Sequence, residues 1–546
     1  MINEKSLIKR IERVFREAWD QPALTNYGSD ITYSYGDVAT RVAYLHMLFQ
    51  EMGIQPGDRV ALCDKNSANW VISELAIITY RAVGVPLLPD FSEKQIMALC
   101  EHSESKLLIG SKKLTTLWSQ GEGIATIDID LPPTLDAKLL TGEAEVRALN
   151  RLHATYPTGL TPDQIHYEAE DPEALMLLSY TSGSTGNPKG VMLPYRSLWS
   201  NNTFALERLP AVKDGSRYFF ILPMAHMFGF SFDFLFAVTK KAHMYILTKA
   251  PVPKILLEAF KEARPHVFLC VPLVMEKIIN GKVRPVLEKP LMKALLMVPG
   301  IRQVILGKVR KQLLEALGGE VYEVIMGGAA LNRDVEQVLR MVKFPYTVGF
   351  GMTEMGPLAS YADWHETKAG SCGKSVDRVE LRVDSEDPVH VPGEILARGM
   401  NNMTGYYKNP EATAEAIDEE GWLHTGDLGV IDEDGYMFIR GRKKNMLLSS
   451  NGQNIYPEEM EEQVVSHSVF DECVVVQRGE RLIALAYAAD LTLSAAGTSR
   501  EALDLEAIRK EVNRYLPKYA QLAGIEQRIE EFEKTPKKSI RRFLYK

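Results

Sequence analysis

The sequence predicts an α/β protein with parallel sheets and a smaller α+β unit behind them, and three observations carry this. Short β-branched runs alternate with helical segments over the first ~370 residues, a texture of short strands and glycine turns takes over to about residue 440, and a compact α+β pattern fills the last ~100. In the first region Arg59-Val-Ala-Leu-Cys63 reads as a strand, Trp70 to Ala82 as an amphipathic helix and Val83 to Leu88 as the next strand. Alternation of this kind packs helices on the faces of a parallel sheet and leaves ligands at the carboxyl ends of strands. Ala174 to Tyr180 reads as a strand entering a Gly-rich loop, and Gly190 to Leu193 leads out of it into a helix.

The second region holds strands at Glu394–Arg398, Leu428–Asp432 and Tyr436–Arg440, with Asp434-Gly435 as a hairpin signal, and reads as a small antiparallel or barrel-like unit. Gly441-Arg-Lys-Lys-Asn445 follows as a polar, basic break and interdomain hinge. The final region reads as helix Pro457 to Val465, strands Cys473 to Gln477 and Leu482 to Ala488 around an Arg478-Gly479-Glu480 turn, and helix Leu503 to Leu516.

With 546 residues, 46% of them apolar, the chain has ample core for several domain-sized units. A net charge of −8 argues against a dedicated nucleic-acid binder, so no nucleic-acid partner is expected. Five scattered cysteines without a CxxC fit neither a disulfide framework nor a zinc site, and a reducing cytosol suits them. The charged N-terminus lacks the apolar run of a secretory signal. Tyr218 to Val238 approaches the length of a membrane span, yet Pro223, His226, Gly229 and Asp233 interrupt it, so a buried strand, turn and core helix is expected.

The most informative run is Ser179-Tyr-Thr-Ser-Gly-Ser-Thr-Gly-Asn-Pro-Lys-Gly-Val-Met192. Its glycines, the hydroxyls of Thr181, Ser182, Ser184 and Thr185, and Lys189 can converge on the oxygens of a polyphosphate. A P-loop laid on it from Gly183 fails twice, with Pro188 in place of the second glycine and Gly190 in place of the Mg²⁺-binding hydroxyl. In Val348-Gly-Phe-Gly-Met-Thr-Glu-Met-Gly-Pro357, glycines bracket a stacking face, Phe350, and a hard oxygen donor for Mg²⁺, Glu354; a plain Gly-rich turn is the alternative. In Gly421-Trp-Leu-His-Thr-Gly-Asp-Leu-Gly429, Asp427 is expected in a tight turn before a strand, either accepting hydrogen bonds from a ribose diol or making an Asx-turn.

Together these segments resemble the adenylate-forming superfamily: acyl-CoA synthetases, aryl-CoA ligases, luciferases and the adenylation domains of peptide synthetases. The resemblance covers most of the chain, in the family's order, and includes the specific signature YTSGSTGNPKGVML. It implies a large N-terminal domain over 1–440, a small mobile C-terminal domain over 441–546 hinged near Lys444 and Asn445, and an active site between them. It further implies ATP, Mg²⁺ and CoA as cofactor and co-substrates, and a small-molecule carboxylic acid as substrate.

Position by position, the resemblance implies that Thr181, Ser182, Gly183, Ser184, Thr185, Gly186 and Lys189 hold the β- and γ-phosphates. Gly327, Gly328 and Ala329, after the apolar strand Val321 to Met326, would run beside the adenine and the acyl carboxylate. Phe350 and Gly351 match the adenine-stacking segment, where the family more often has Tyr. Thr353 and Glu354 match the pair near the α-phosphate and Mg²⁺, and Asp427 and Arg442 the ribose-binding acid and arginine. Leu222-Pro-Met-Ala-His226 matches a Leu-Pro-x-x-His motif whose His226 borders the acyl site; taken alone, His226 reads as a core histidine. The catalytic set implied is Lys538, Thr185, Glu354 and His226.

Two departures stand out. Asn445 occupies a position where the family usually has Asp, and Ser539 the position of the family's adenylation lysine, with Lys538 one residue earlier. The six basic residues from Lys534 to Lys546 read equally as a solvated face or as a site for CoA phosphates. Lys282 to Lys311 holds eight Lys/Arg and one acid among apolar residues, a pattern that suits either ordinary solvated helices or peripheral contact of a cytoplasmic enzyme with an anionic membrane.

The apolar wall Phe219, Phe220, Met227, Phe228, Phe230 and Phe232 favours a fatty or aryl acid, whereas Asp233 would have to hold the ammonium of an amino acid or else act as a local cap. The main expectation is a medium- or long-chain fatty-acid–CoA ligase that releases AMP and pyrophosphate. An aryl-CoA or other carboxylate ligase comes second, followed by a P-loop-type ATPase or a non-catalytic nucleotide-binding homologue.

Overall fold

The computed structural model describes residues 4–119, 125–130, 135, 136, 138, 140, 142–181, 188–209, 212–248, 253–448, 454–466, 469–534 and 540–545. Two seven-stranded sheets organise the N-terminal part. One runs Tyr346–Val348, Glu323–Met326, Val267–Cys270, Arg217–Phe220, His243–Ile246, Pro22–Asn26 and Thr32–Ser34, parallel except for its last pair. The other runs Gly405–Tyr406, Lys189–Pro194, Leu175–Thr181, Val83–Leu87, Arg59–Cys63, Leu107–Gly110 and Ala125–Asp128, with its first three strands antiparallel and the rest parallel. The expected parallel α/β architecture is present.

Helix Ala68–Thr79 starts at Ser67, whose side chain accepts from the Trp70 N–H and so satisfies one of the helix's unpaired first-turn donors. The amphipathic pattern read there is corrected: the helix is buried nearly all round, because it contacts strands of both large sheets. A helix enclosed between two sheets has no solvent face to keep polar. Tyr218 to Val238 resolves into the end of strand Arg217–Phe220, a turn, the π-helix Gly229–Leu235 and helix Phe236–Thr239, and no single helix among the described residues is long and apolar enough to cross a membrane.

After Val348 the sheets become antiparallel. Phe350–Gly351, Leu358–Tyr361 and Lys374–Ser375 form a three-stranded sheet, and Val379–Asp384, Gly393–Gly399, Leu423–Ile431 and Met437–Arg442 a four-stranded one. Reciprocal main-chain bonds tie them, Cys372 N–H to Met437 O and Met437 N–H to Gly373 O, each 2.8 Å. The last strand runs through Gly441 and Arg442, so the break expected from Gly441 begins at Lys443, in a 3₁₀ turn Lys443–Asn445.

Beyond it, strands Glu472–Arg478, Arg481–Tyr487 and Gly524–Arg528 and helices Pro457–Ser466 and Leu505–Asn513 enclose separate apolar clusters. All five cysteines are free and four are buried.

Candidate active site

Two antiparallel strands, Leu175–Thr181 and Lys189–Pro194, flank the phosphate-loop sequence. Thr181, at the end of one strand, pairs with Lys189, at the start of the next, and Thr181 Oγ1 donates to Lys189 O at 3.5 Å. Ser182, Gly183, Ser184, Thr185 and Gly186 lie outside the described residues, as do Lys538 and Ser539.

From Lys189 a chain of side chains leads inward. Its ammonium lies 4.8 Å from the ring centre of Tyr406, a cation–π contact, and Tyr406 Oη donates to Glu354 Oε1 at 2.9 Å. Tyr406 is placed by pairing with Val191 on the loop's exit strand, while Tyr407 N–H donates to Gly190 O at 2.8 Å. Burial and the adjacent Glu354 push the Tyr406 phenol well above its ordinary range, so it remains a donor.

Glu354 sits in the 3₁₀ turn Thr353–Met355, and Thr353 and Glu354 are each 8% exposed. Asn201, on the helix Tyr195–Arg208 that follows the exit strand, fixes this turn by donating to Met355 O at 3.1 Å and accepting from Leu358 N–H at 3.0 Å. Met403 N–H also donates to Glu354 O at 2.8 Å. Immediately before the turn, Gly351 can only be glycine, because a Cβ there would lie 2.1 Å from Pro357 O. Phe350, paired with Ser360, is half-buried.

Asp427 corrects an expectation. It lies inside strand Leu423–Ile431 rather than in a turn before one, paired in register with Arg442 of the neighbouring strand. Arg442 Nε meets Asp427 Oδ1 at 2.7 Å, and Oδ2 is buried with no hydrogen-bond partner among the described residues. Burial pushes this carboxyl up to about 6 against the pull of Arg442, Glu354 and Glu458 add like charge, and Lys444 opposes them. Glu354, Asp427, Arg442 and Lys444 therefore share one electrostatic neighbourhood.

The third arm is the turn Leu222–His226. Asn66 brackets it, donating to Leu222 O at 2.7 Å and accepting from Met224 N–H at 2.9 Å. His226 is half-buried and its Nδ1 accepts from Phe228 N–H at 3.4 Å. Phe228 then meets the Gly327 segment: a Cβ on Gly327 would lie 3.3 Å from the Phe228 ring, and Gly328 adopts φ +81°. Phe228, two residues beyond His226, thus lies against the Gly327 segment.

The apolar wall is largely core. Phe219, Phe220, Met227 and Phe230 are at most 1% exposed, with Phe219 packed on Phe260 and Phe230 on Trp70, which leaves Phe228 as the half-buried ring of the set. Asp233 is neither a cap nor a turn residue. It is buried inside the π-helix with both oxygens unpartnered among the described residues, and burial drives its carboxyl far above the usual range, which disfavours the charged form that holding an ammonium would need.

Among the described residues, the helix Pro457–Ser466 of the C-terminal unit makes polar contacts with this region. Asn445 Nδ2 donates to Glu458 Oε1 at 2.6 Å, Arg440 pairs with Glu459 at 3.5 Å, and Arg333 N–H donates to Glu462 Oε1 at 3.2 Å. Two of the tail's basic residues are paired: Arg542 with Glu461, and Lys534 with Glu472 and Glu531. Lys534 and Ile540 form an antiparallel bridge.

Residues 11–407 match the model of a family described as AMP-binding enzyme. The chain belongs to the AMP-binding enzyme family. This AMP-binding enzyme is 30% identical to 4-coumarate–CoA ligase 4 of Arabidopsis thaliana over 81% of its own length and 74% of that protein's. It is 28% identical to the long-chain-fatty-acid–CoA ligase FadD15 of Mycobacterium bovis over 82% and 75%. In fold it is similar to the ATP-bound MatB of Rhodopseudomonas palustris (TM-score 0.77, 20% identity, 98% of each chain). It is also similar to the O-succinylbenzoate coenzyme A synthetase of Bacillus subtilis in complex with AMP (TM-score 0.76, 19% identity, 98% of each chain).

The donor set fits Mg²⁺. Among the described residues no group of three or more His, Cys, Asp or Glu could hold a metal, but Glu354 offers one buried carboxylate, and Mg²⁺ is commonly held by one or two carboxylates together with substrate phosphates. Sequence reasoning missed Tyr406, Asn201 and Asn66. Tyr406 carries the one weak local signal, an aromatic pair in Gly405-Tyr-Tyr-Lys408.

Proposed function

We propose that this AMP-binding enzyme is an ATP-dependent acid–CoA ligase acting on a medium- or long-chain fatty acid, which it activates as an acyl-adenylate before transfer to CoA. The observation that supports this best is the link from Lys189 through Tyr406 to Glu354, beside the Asp427–Arg442 pair. One end of this arrangement suits phosphates and the other a ribose.

A carboxylate is a poor acyl donor because oxide would have to leave. A carboxylate oxygen of the acid attacks the α-phosphorus of ATP, the bond to the bridging oxygen breaks and pyrophosphate leaves. The CoA sulfur then attacks the acyl carbonyl, the thiol proton is lost and AMP leaves with the carboxyl-derived oxygen. Thr181 and Lys189 hold the phosphates, Asp427 accepts from the ribose hydroxyls through the oxygen that Arg442 leaves without a donor, and Phe350 stacks on the base. Glu354 would hold Mg²⁺, which supplies neutralisation of the developing pyrophosphate charge. Tyr406 orients the Glu354 carboxylate, and His226 borders the acyl carboxylate beside Gly327–Ala329. Lys538 is the candidate for the adenylating lysine.

The domain division belongs to the same proposal. The two half-reactions need different groups at one carbonyl, and the separate apolar core of residues 455–545, joined by a few polar contacts around Asn445, suits a unit that reorients. An aromatic acid is the second reading, favoured by the 4-coumarate ligase relatives and by the burial of most of the phenylalanine wall. A panel of fatty and aryl acids assayed for CoA-dependent AMP release tests both. Turnover of fatty acids alone supports the main reading, preference for aryl acids replaces it with the second, and ADP as product removes both.

A further inference from the structure

Far in sequence from these motifs, the helices Pro290–Leu296 and Pro299–Ala316 meet at a bend of 118°. Their inner side is anchored: Leu306 and Leu313 are buried in an apolar cluster, with Met292 and Leu296 packed against it. Their outer side is apolar as well. Every residue from Met297 to Val304 is exposed, and Leu291, Met297 and Val304 are 73%, 84% and 62% exposed. Large apolar side chains grouped at the apex of a bend, rather than scattered singly, mark a surface that meets something.

The charge around them says what. From Lys289 to Lys311 there are six Lys/Arg and no acid, in a chain whose net charge is −8. Arg310 lies over Trp364 and Lys311 pairs with Glu315, but Lys289, Lys293, Arg302 and Lys308 are exposed and form no ion pair among the described residues. Apolar residues at an apex with an unneutralised basic collar have the chemistry of an interfacial anchor: the apex enters the acyl boundary while the collar meets lipid phosphates.

We propose that this helical bend docks the enzyme peripherally on an anionic lipid bilayer. A second copy of the chain is disfavoured as occupant, because a two-fold contact would oppose the same uncompensated cations. The bent geometry fits lying on the membrane, not crossing it. The inference is independent of the ligase reading and stands or falls without it.

The test uses the full chain and vesicles of phosphatidylglycerol with phosphatidylcholine, against pure phosphatidylcholine, by flotation. Binding is expected to the anionic vesicles at low salt and to weaken as salt rises, since each basic residue near such a surface contributes roughly fivefold to partitioning. Lys289→Glu/Lys293→Glu should lose binding by more than about tenfold, and Met297→Ser/Val304→Ser should lose it several-fold. Both variants change exposed side chains, so their melting temperatures and ATP–pyrophosphate exchange without lipid should match the parent. Failure of the parent to float with anionic vesicles overturns the proposal. So does binding that survives Met297→Ser/Val304→Ser, which would be adsorption by charge alone. A lipid-free dimer abolished by that same variant would assign the surface to a second copy instead.

Discussion

Asp427 and Arg442 face each other across neighbouring antiparallel strands, Oδ1 to Nε at 2.7 Å, while the other oxygen of Asp427 is buried without a hydrogen-bond partner among the described residues. A carboxylate held in this way is anchored on one side and unsatisfied on the other. Burial of an acceptor without a donor is costly, and a ligand hydroxyl would remove that cost.

The pH dependence of stability follows from Asp427. Its folded value of about 6 lies above the ordinary 3.8, so between these values the folded chain binds more protons than the unfolded one and stability falls as pH rises, by about 3 kcal/mol over the window. Asp427→Asn escapes this loss, and Arg442, half-exposed, remains solvated. The variant's advantage in melting temperature should grow from about pH 4 to about pH 6 and then level off. Calorimetry across that range checks it, and a constant difference would sink the assignment.

The same titration reaches the nucleotide. Ionised Asp427 accepts two ribose hydrogen bonds better than the neutral acid does, so KM for ATP should rise as pH falls below about 6 while Asp427→Asn shows a high, flat KM. Steady-state kinetics with the acid saturating separate these profiles.

Tyr406→Phe keeps the ring beneath Lys189 but removes the donor to Glu354. A hydrogen bond to a charged group is worth about 1.5–3 kcal/mol, so ATP–pyrophosphate exchange should fall roughly tenfold to a hundredfold, with Mg²⁺ dependence shifted to higher concentration. Tyr406→Ala, which loses the cation–π contact as well, should be worse. Equal rates for the parent and the Phe variant would show that the hydroxyl does not orient Glu354.

Asn445→Asp would place a second carboxylate against Glu458, whose Oε2 is already buried without a hydrogen-bond partner among the described residues. We expect a loss of about 1–3 kcal/mol that Glu458→Gln restores, because an amide can then donate to the new carboxylate. A double-mutant cycle on melting temperature reads the coupling. Additive effects would mean the two side chains do not interact in solution.

The two lysines should separate by half-reaction. Lys538→Ala should abolish adenylation yet spare thioester formation from a supplied acyl-adenylate, whereas Lys189→Ala should chiefly raise KM for ATP. Retained pyrophosphate exchange in Lys538→Ala would remove it from the catalytic set.

Local patterns carried much of this reading. The alternation before residue 370, the Asp434-Gly435 hairpin and the strand–helix order of the last hundred residues are visible because turn chemistry and hydrophobic period are properties of neighbouring residues. Burial was less legible. Helix Ala68–Thr79 looked one-sided and is enclosed, and most of the phenylalanines from Phe219 to Phe232 looked like a ligand wall and are core, because a side chain's exposure depends on elements that arrive from elsewhere in the chain.

The sequence by itself determined the chemistry on offer: hydroxyls, glycines and Lys189 in one loop, Glu354 between glycines, Asp427 and Arg442 fifteen positions apart. Only the tertiary structure decided how these groups act together. Asp427 meets Arg442 because two strands pair in that register, Tyr406 reaches Glu354 because its strand adds to the loop's exit strand, and Asn201 holds the Glu354 turn from a helix more than 150 residues earlier. Such contacts leave no local signature, since strand pairing and helix packing, rather than spacing along the chain, set the distances over which charges and hydrogen bonds act.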